Sequence, residues 1–430
     1  MKRLWLALTA LLGFAVMAAA EETAPAISAG DTAWVLISAA LVMLMTPGLA
    51  FFYGGMVKRK NVLSVLMQSF MMMGLMSIHW VVIGYSLAFA PGNAFIGGFD
   101  YVLLKGIGLE AGPYSGTIPH QAFIIFQAMF AIITPALIIG AFAERIKFLP
   151  FAIFSLLWST FVYAPVCHWV WGTGGWLGAM GALDFAGGTV VHINAGIAAL
   201  VTAVVIGKRK KTTLGPTPHN LPFTVLGTAL LWFGWFGFNA GSALAANGLA
   251  ANAFLVTNTA AAAAALSWAI LEWIFNGKPT ILGTVTGAVA GLVAITPAAG
   301  FVSVVPAILI GLSVSVVCYF MVSVIKQKLG YDDALDAFGV HGIGGAWGAL
   351  LTGVFATAAV NGKDGLLAGN PGQMIPQLVS VGATAVYSLV VTFIIFKAID
   401  LLMGVRAPEK DEALGLDLSE HNERAYTLVE

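Results

Sequence analysis

Long apolar stretches follow one another along this chain almost without a break. Each is about 20 residues long, the length that an α-helix needs to cross the hydrocarbon core of a bilayer. Polar or glycine- and proline-rich segments separate eleven such stretches. Their approximate limits are 33–57, 62–90, 120–143, 148–172, 187–207, 220–240, 250–275, 279–297, 302–325, 338–360 and 374–403. The sequence therefore predicts an all-α, polytopic membrane protein with eleven transmembrane helices.

Composition excludes most other classes of protein. Of the 430 residues, 59% are hydrophobic and only 9% are charged, which is too few for the exterior of a soluble domain. No nucleotide-binding loop or polar domain lies between the stretches, so we expect neither an enzyme nor a nucleic-acid-binding protein. Cys167 and Cys318 both lie inside apolar stretches and have no metal-ligand spacing. We therefore predict no metal site and no cofactor.

The N-terminal segment has the pattern of a cleavable secretory signal. Lys2 and Arg3 precede an apolar run, and three alanines stand just before Glu21. The mature chain is thus expected to begin outside the cytoplasm. The predicted domains are a signal peptide at 1–20, a membrane domain at 21–405 and a cytoplasmic tail at 406–430.

The distribution of basic residues predicts the orientation of the helices. With an external N-terminus, the connecting segments on the cytoplasmic side hold twelve basic residues, whereas the outer segments hold only Lys105 and Lys363. Lys and Arg concentrate on the cytoplasmic side of membrane proteins. An odd number of crossings then leaves the C-terminus in the cytoplasm. The twelve are Lys58, Arg59, Lys60, Arg145, Lys147, Lys208, Arg209, Lys210, Lys211, Lys278, Lys326 and Lys328.

Two stretches, the fifth and the tenth, share a pattern of one aspartate followed by one histidine. Asp184 precedes His192 in the fifth, and Asp336 precedes His341 in the tenth. At about 1.5 Å per residue, the histidines lie roughly 12 and 8 Å beyond their aspartates. The two stretches enter from opposite faces, so the pattern predicts an inverted repeat with both histidines near the midplane, where transport sites are found.

Each of these groups also has a structural interpretation. Both aspartates stand where a residue would cap the N-terminus of a helix. A single histidine in a membrane helix is usually an interhelical hydrogen-bond partner, but a symmetric pair favours the lining of a pathway. His79, His120 and His168 lack this symmetry, and we assign them no role.

Aromatic residues recur at the predicted outer ends of three helices. Phe126 and Phe130 share a face of the third, Trp171 closes the fourth, and Phe238 and Ser242 stand four residues apart at the end of the sixth. Ring faces attract cations and a hydroxyl oxygen accepts hydrogen bonds, so this set suits a small cation. The alternative is an ordinary interfacial belt of aromatics.

Several long motifs resemble those of one family. They are DFAGGTVVHINAG at 184–196, FQAMFAIITPALIIGAFAERI at 126–146, WFGFNAGS at 235–242, FGVHG at 338–342 and GLDLSEHNERAY at 415–426. Together they resemble the ammonium transporters, the Amt, Mep and Rh proteins, and most closely the bacterial Amt ammonia channels. The resemblance implies homotrimers whose subunits each contain two inverted five-helix halves, here about 33–207 and 220–360, and a last helix at about 374–403.

The resemblance also implies roles for the residues in these motifs. Phe126, Phe130, Trp171 and Ser242 are similar to an outer ammonium-binding site, which Asp184 orders without touching the ion. Phe130 and Phe238 are similar to a pair of phenyl rings that gates the pore. His192 and His341 are similar to the twin histidines of the pore, and Thr296 matches a lesser position near them.

The function implied is nitrogen uptake in which ammonium is recruited outside, deprotonated and conducted as ammonia through a multi-pass protein of the bacterial plasma (inner) membrane. The implied partners are ammonium, the lipid bilayer, two further copies of the chain and a PII-type signalling protein at the cytoplasmic face. Four alternatives stay open at this point. They are a haem protein of the cytochrome b type, a sodium-coupled amino acid transporter, an ammonium sensor and a carbon dioxide channel.

Overall fold

The structure is a computed structural model that describes residues 27–210 and 217–426. The predicted signal peptide at 1–20 lies outside these residues, as do Lys211 and the last four residues of the tail. Within the described ranges, ten helices are long and apolar enough to cross a membrane. One further apolar helix has only 15 residues. The number of crossings therefore remains a prediction, although every predicted stretch overlaps one of these helices.

The eleven helices are labelled in chain order. They are α1 (Ala29–Met56), α2 (Arg59–Phe89), α3 (His120–Phe142), α4 (Phe148–Met180), α5 (Gly188–Ile206), α6 (Leu221–Ala240), α7 (Gly248–Asn276), α8 (Ile281–Ile295), α9 (Val304–Leu329), α10 (Phe338–Phe355) and α11 (Pro371–Met403). The α4 helix is interrupted after Trp171, and its last turns form a separate short helix, Trp176–Met180. A two-stranded hairpin, β1 (Ala111–Gly112) with β2 (Ser115–Pro119), precedes α3.

Side-chain caps define where several helices begin. The Ser28 hydroxyl accepts a hydrogen bond from the backbone of Asp31 at the start of α1. Asn220, Asn247 and Thr280 cap α6, α7 and α8 in the same way. These caps satisfy N–H groups that have no partner within the helix. Short polar residues between apolar stretches therefore fix the helix starts.

Glycines allow the helices to pack with their backbones in contact. A Cβ atom added at Gly227 of α6 would meet the backbone of Phe52 in α1, and one added at Gly311 of α9 would meet the backbone of Ala260 in α7. Small residues have this use in membranes because no hydrophobic force drives helices together there. The bundle is accordingly tight, and α3 is buried along almost its whole length.

The bundle has two chemically different ends. The aromatic end lies at the start of α3 and holds Trp171 and Ser242. The charged end lies past the end of α3, where Glu144, Arg145, Arg209 and Asp332 are joined by ion pairs of 2.8 to 3.1 Å. The 23 residues of α3 separate the two ends by about 35 Å.

The C-terminal tail packs against the charged end. Two short helices, Glu409–Leu414 and Leu416–His421, follow α11. Asp417 accepts a hydrogen bond of 2.8 Å from the backbone of Ser64, and Arg406 pairs with Glu412 at 2.6 Å. The tail is thus an ordered part of the fold as far as residue 426.

Candidate functional site

A cavity of about 300 Å³ opens at the aromatic end. Trp171 and Ser242 line it together, as the sequence predicts, and Gln127 and Tyr114 line it as well. Phe126 and Phe130 are fully buried and are not among its lining residues. Gln127 and Tyr114 were missed at the sequence level, although Gln127 stands between the two phenylalanines and is the one polar residue on that stretch of α3.

Asp184 organises the segment beneath this cavity. Its carboxylate accepts hydrogen bonds of 2.6 to 3.2 Å from the backbone N–H groups of residues 187–190, at the start of α5. Its backbone carbonyl accepts a hydrogen bond of 2.9 Å from Trp171 Nε1. Asp184 therefore caps α5 and orients Trp171 at the same time. Nearly all of the side chain is buried, so its carboxylate is separated from solvent.

Five rings form a continuous line from the cavity into the bundle. The centroids of Trp171 and Phe130 are 5.8 Å apart, and those of Phe130 and Phe238 are 4.3 Å apart with the rings tilted by 41°. Phe238 lies 6.1 Å from His192, and His192 lies 5.3 Å from His341. The two phenylalanines fill the space between the cavity and the histidines.

The histidines line a second cavity, which is much smaller. Its volume is about 10 Å³, close to the space that a single water molecule needs, and its other walls are apolar, among them Val191, Leu231 and Val289. His192 Nδ1 lies 3.3 Å from His341 Nδ1, and His192 Nε2 is buried without a hydrogen-bond partner among the described residues.

The contact between the two Nδ1 atoms fixes how protons are arranged in the neutral pair. One Nδ1 must donate and the other must accept. The donating ring then has a lone pair on Nε2, whereas the accepting ring has its proton there. The pair therefore presents one acceptor and one donor while it remains uncharged.

Trp235 packs against the ring of His192 and is itself hydrogen-bonded to Thr296. Trp235 stacks on His192 at 5.5 Å with 23° between the rings, and its Nε1 donates a hydrogen bond of 2.9 Å to Thr296 Oγ1. Thr296 itself donates to the backbone of Leu292. The family resemblance implied that Thr296 lies near the histidines, but it gave no role to Trp235, which contacts both Thr296 and His192.

The interpretation of Asp336 as a helix cap is wrong. Asp333 accepts the hydrogen bonds from the backbone of Ala337 and Phe338, at 3.1 and 2.8 Å. Asp336 instead pairs with Lys326 at 2.6 Å, and its φ of +61° takes its backbone out of the helix. Asp333 precedes His341 by the same eight positions by which Asp184 precedes His192, so the two helix starts correspond more closely than the pair of Asp336 and His341 indicates.

Reciprocal contacts relate α5 to α10. A Cβ atom at Gly196 would meet the backbone of Gly342, and one at Gly345 would lie 2.9 Å from His192 Cβ. The histidines stand 149 positions apart, and the two glycines have the same separation. The helices therefore cross at the point where their histidines meet, and each glycine admits the partner helix.

At the charged end, the carboxyl groups have strongly different affinities for protons. Burial would raise the pKa of Asp332, but the hydrogen bonds and charge of Arg209, together with Arg145, lower it to about 2. Burial and then the adjacent carboxylate of Asp336 raise the pKa of Asp333 to about 6. Asp332 is thus a permanent anion between two arginines, whereas Asp333 can take up a proton.

A larger, open groove of about 710 Å³ lies elsewhere, between Trp34, Phe236 and Phe254. Its lining residues include no titratable side chain, so it offers no group for proton transfer. Among the described residues, no cluster of histidine, cysteine, aspartate and glutamate side chains could hold a metal ion.

Comparison with known proteins identifies a family whose sequences match almost the whole chain. The model of the ammonium transporter family matches residues 33–426. An ammonium transporter of Bacillus subtilis is 58% identical over 399 residues, which cover 92% of this chain and 98% of the relative. Ammonium transporter Amt1 of Archaeoglobus fulgidus is 50% identical and is covered over its full length, with 93% of this chain.

Solved structures show the same fold. The crystal structure of Mep2 from Saccharomyces cerevisiae superposes with a TM-score of 0.84 at 35% sequence identity, over 90% of this chain and 89% of that chain. A structure described as a sensor Amt protein superposes with the same TM-score of 0.84 at 29% identity, over 91% of this chain and 98% of that chain.

Proposed function

The chain belongs to the ammonium transporter family, and from this premise we propose that it binds ammonium at the aromatic end, removes a proton and conducts ammonia past His192 and His341. The observation that carries the proposal is the line of rings that ends in a water-sized apolar cavity with the unpartnered His192 Nε2. Nitrogen uptake is the purpose that such a pathway serves.

Recruitment is assigned to Phe126, Phe130, Trp171 and Ser242. Trp171 and Ser242 both line the cavity, and the faces of aromatic rings attract cations. The Ser242 hydroxyl donates its own proton to the Phe238 carbonyl, at 2.9 Å, so its lone pairs remain free to accept hydrogen bonds from ammonium. Asp184 is assigned the ordering of this site, through its hydrogen bond to Trp171.

Selectivity follows from the cost of charge within the bilayer. A charge at the bilayer centre costs several kcal/mol, from about 3 on insertion scales to 10 or more in simulations. Ammonium escapes this cost by giving a proton to water in the open cavity above the contact between Phe130 and Phe238, whereas potassium has no proton to lose. The two rings act as the gate in this scheme because their centroids are only 4.3 Å apart and both side chains are fully buried, whereas the small cavity begins below Phe238.

The histidine pair then carries the neutral molecule. Its free acceptor and donor can each form a hydrogen bond with ammonia, which also both donates and accepts. Because the pair shares one proton between its Nδ1 atoms, it needs no net charge to do so. Trp235 and Thr296 keep His192 in position for this contact.

We further propose the arrangement in the membrane. The chain crosses eleven times, with its N-terminus outside and the tail from 406 in the cytoplasm. This orientation puts twelve basic residues in the cytoplasmic connecting segments and only two in the outer ones. The halves at 33–207 and 220–360 form an inverted repeat that the last helix follows, and the reciprocal contacts of Gly196 and Gly345 support such a repeat. The bacterial plasma membrane is the proposed location.

Two protein partners complete the proposal. The family resemblance supports assembly into a homotrimer in which every subunit has its own pore. It also supports a PII-type signalling protein that closes the cytoplasmic mouth. The charged end and the docked tail are the surfaces available to such a partner.

Flux through purified protein in liposomes tests the proposal. We expect an ammonium gradient to change the internal pH, reported by a trapped dye, faster than in liposomes without protein. A potassium gradient of the same size should leave the two kinds of liposome alike. Ammonium binding without accelerated flux would contradict conduction and would favour a sensor.

A further inference from the structure

His168 is a fully buried residue that the pathway does not use. It lies in α4, one turn before Trp171. Its Nδ1 is 2.9 Å from the backbone oxygen of Ala88, and its Nε2 is 2.8 Å from the backbone oxygen of Asn93. A carbonyl oxygen only accepts hydrogen bonds, so each nitrogen must donate. Neutral imidazole has a single N–H group, and a neutral ring would therefore turn one lone pair against a carbonyl.

The surroundings of the His168 ring suit a positive charge, because the Ala88 carbonyl that it contacts lies at the C-terminal end of α2. The last residues of α2 have carbonyls without partners inside the helix, and these carry partial negative charge. Ala90 N satisfies the Ser86 carbonyl, Gly97 N satisfies that of Leu87, and the Tyr114 hydroxyl satisfies that of Phe89. The Ala88 carbonyl is left for His168.

Few titratable groups face the ring from the elements around it. Tyr85 lies on α2, Cys167 precedes His168 on α4, and Tyr114 follows the first strand of the hairpin. Asp100 stands in the segment after Asn93 and is exposed, and Asp184 is occupied by its four backbone donors. Within the described residues, His168 forms no ion pair, so its partners are the two carbonyls.

The two bonds join the walls of the cavity at the aromatic end. Phe89, next to Ala88, lines this cavity, and so does Tyr114, which binds the Phe89 carbonyl. Val170 and Trp171 line it from the helix that carries His168. The ring thus ties the end of α2 and the loop at Asn93 to the turn that holds Trp171.

We propose that His168 is a doubly protonated positioning residue, which holds the two walls of the aromatic-end cavity at the distance that ammonium binding requires. The protonation state stands on the two carbonyl contacts alone. The effect on ammonium rests on the proposed function of the cavity.

Nitrogen NMR of the histidine side chains in reconstituted full-length protein tests the protonation state. The His168 signals are identified by their loss in His168→Gln. We expect both ring nitrogens of His168 to carry a proton at pH 7. A single protonated nitrogen would overturn the proposal. The protonation state itself is measured on wild-type protein. If the variant is unstable, the His168 signals can instead be assigned through the contact of the ring with Ala88.

Transport kinetics test the positioning role. A glutamine carries both of its N–H donors on a single amide nitrogen, so it cannot place a donor nitrogen at both positions that the imidazole nitrogens occupy. We expect His168→Gln to raise the KM for ammonium about ten-fold, as loss of a hydrogen bond to a charged group would do, with little change in maximal rate. The matched control is His79→Gln, whose ring has one partner, the Thr160 hydroxyl at 2.8 Å, and needs only one proton.

The outcomes separate this proposal from the function on which it rests. An unchanged KM in His168→Gln, where Trp171→Leu raises it, would overturn the positioning role alone. A lower KM would show that the charge repels ammonium and would also overturn it. An unchanged KM in both variants would refute the proposed ammonium site, whatever the NMR result.

Discussion

Asp184 and His192 are ionisable side chains eight positions apart, and the structure accommodates them in different ways. Asp184 stands at a helix start, where four backbone N–H groups surround its carboxylate. His192 lies deeper and shares a hydrogen bond with His341. A carboxylate at a helix N-terminus is stabilised as a charge, whereas an imidazole pair can remain neutral. Neither side chain requires an unpaired charge among lipid.

Trp171 supplies the first prediction. Replacing Trp171 with Leu removes both the ring face in the cavity and the hydrogen bond to Asp184. The KM for ammonium should rise by about thirty-fold, since a cation–π contact and a hydrogen bond of about 1 kcal/mol each are lost. Uptake at low ammonium concentration measures this. Trp176→Leu is the control, because Trp176 is half-buried and does not line the cavity. Normal uptake by the Trp171→Leu variant would contradict a role in binding and would indicate that Trp171 belongs to an ordinary interfacial belt of aromatic residues.

Spacing predicted that His192 and His341 lie at a similar depth, because depth can be estimated from the positions of apolar runs, and the family resemblance implied the pair of Phe130 and Phe238. In the structure these four rings do lie next to one another. The role of Asp333 was missed because the left-handed turn at Asp336 cannot be seen in a sequence. Bonds such as those of His168 are also invisible there, because backbone carbonyls leave no signature in the amino-acid pattern.

The α5 and α10 helices cross at two glycines, Gly196 and Gly345, where the partner helix leaves no room for a side chain. Gly196 faces the backbone of Gly342, and Gly345 faces His192 and the start of α5. Backbone-to-backbone packing of this kind depends on the absence of Cβ atoms. The separation of the two histidines is therefore set by the crossing of the helices as well as by the rings.

Gly196→Ala tests this dependence. The added methyl group would meet backbone atoms of Gly342, which cannot rotate away, so α5 and α10 must move apart. We expect a loss of about 1–3 kcal/mol in stability, as in other overpacked sites, and a loss of ammonium flux. Thermal unfolding in detergent and flux in liposomes measure the two effects.

Gly382→Ala on α11 is the matched control. A Cβ at Gly382 has open space within 4 Å, and alanine favours a helix by up to about 1 kcal/mol over glycine. That variant should keep its flux and be at least as stable as wild type. Equal flux in the Gly196 and Gly382 variants would argue that the crossing does not position the histidines.

Helix positions were predictable to within a few residues because apolar length is a strong signal in membranes. The α8 helix, with 15 residues, is the shortest of the eleven, although its limits of 281–295 still lie within two residues of the predicted 279–297. Thr280 caps its start, and a turn that contains Pro297 follows its end. The break of α4 after Trp171 agrees with the predicted limits of 148–172, whereas the short helix Trp176–Met180 that follows the break was not predicted.

Across the molecule, charge is collected at one end. Asp332 lies between Arg145 and Arg209, and Glu144 pairs with the same Arg209. The segments that contribute these residues follow α3, α5 and α9, and the tail joins them where the Ala407 N–H donates to the Arg145 carbonyl. The cluster therefore ties distant parts of the chain together at the charged end.

The pH dependence of stability tests the cluster. The folded-state pKa of Asp332 is about 2, below its ordinary value of 3.8, so its contribution is present above pH 4 and is lost as the pH falls towards 2. Asp332→Asn should cost about 1–3 kcal/mol at pH 7 and progressively less between pH 4 and 2. The exposed Asp100 provides the control, as Asp100→Asn. A pH-independent difference in unfolding temperature would contradict the account.

Cysteine labelling tests the orientation. Lys363 and Lys278 are exposed and lie on the predicted outer and cytoplasmic sides, and both native cysteines are fully buried. A membrane-impermeant maleimide should label Lys363→Cys in cells whose outer membrane has been permeabilised and whose inner membrane is intact. Lys278→Cys should react only after the inner membrane is permeabilised. The reverse pattern would invert the proposed topology.

The central claim is that selectivity comes from leaving the charge outside a pore lined by His192 and His341. Currents and fluxes of reconstituted protein under ammonium and potassium pulses test it most directly, in wild type and in the double variant His192→Ala, His341→Ala. We expect wild type to respond to ammonium and not to potassium, and the folded variant either to lose ammonium-selective flux or to admit potassium. Unaltered selective flux in the double variant would contradict the claim.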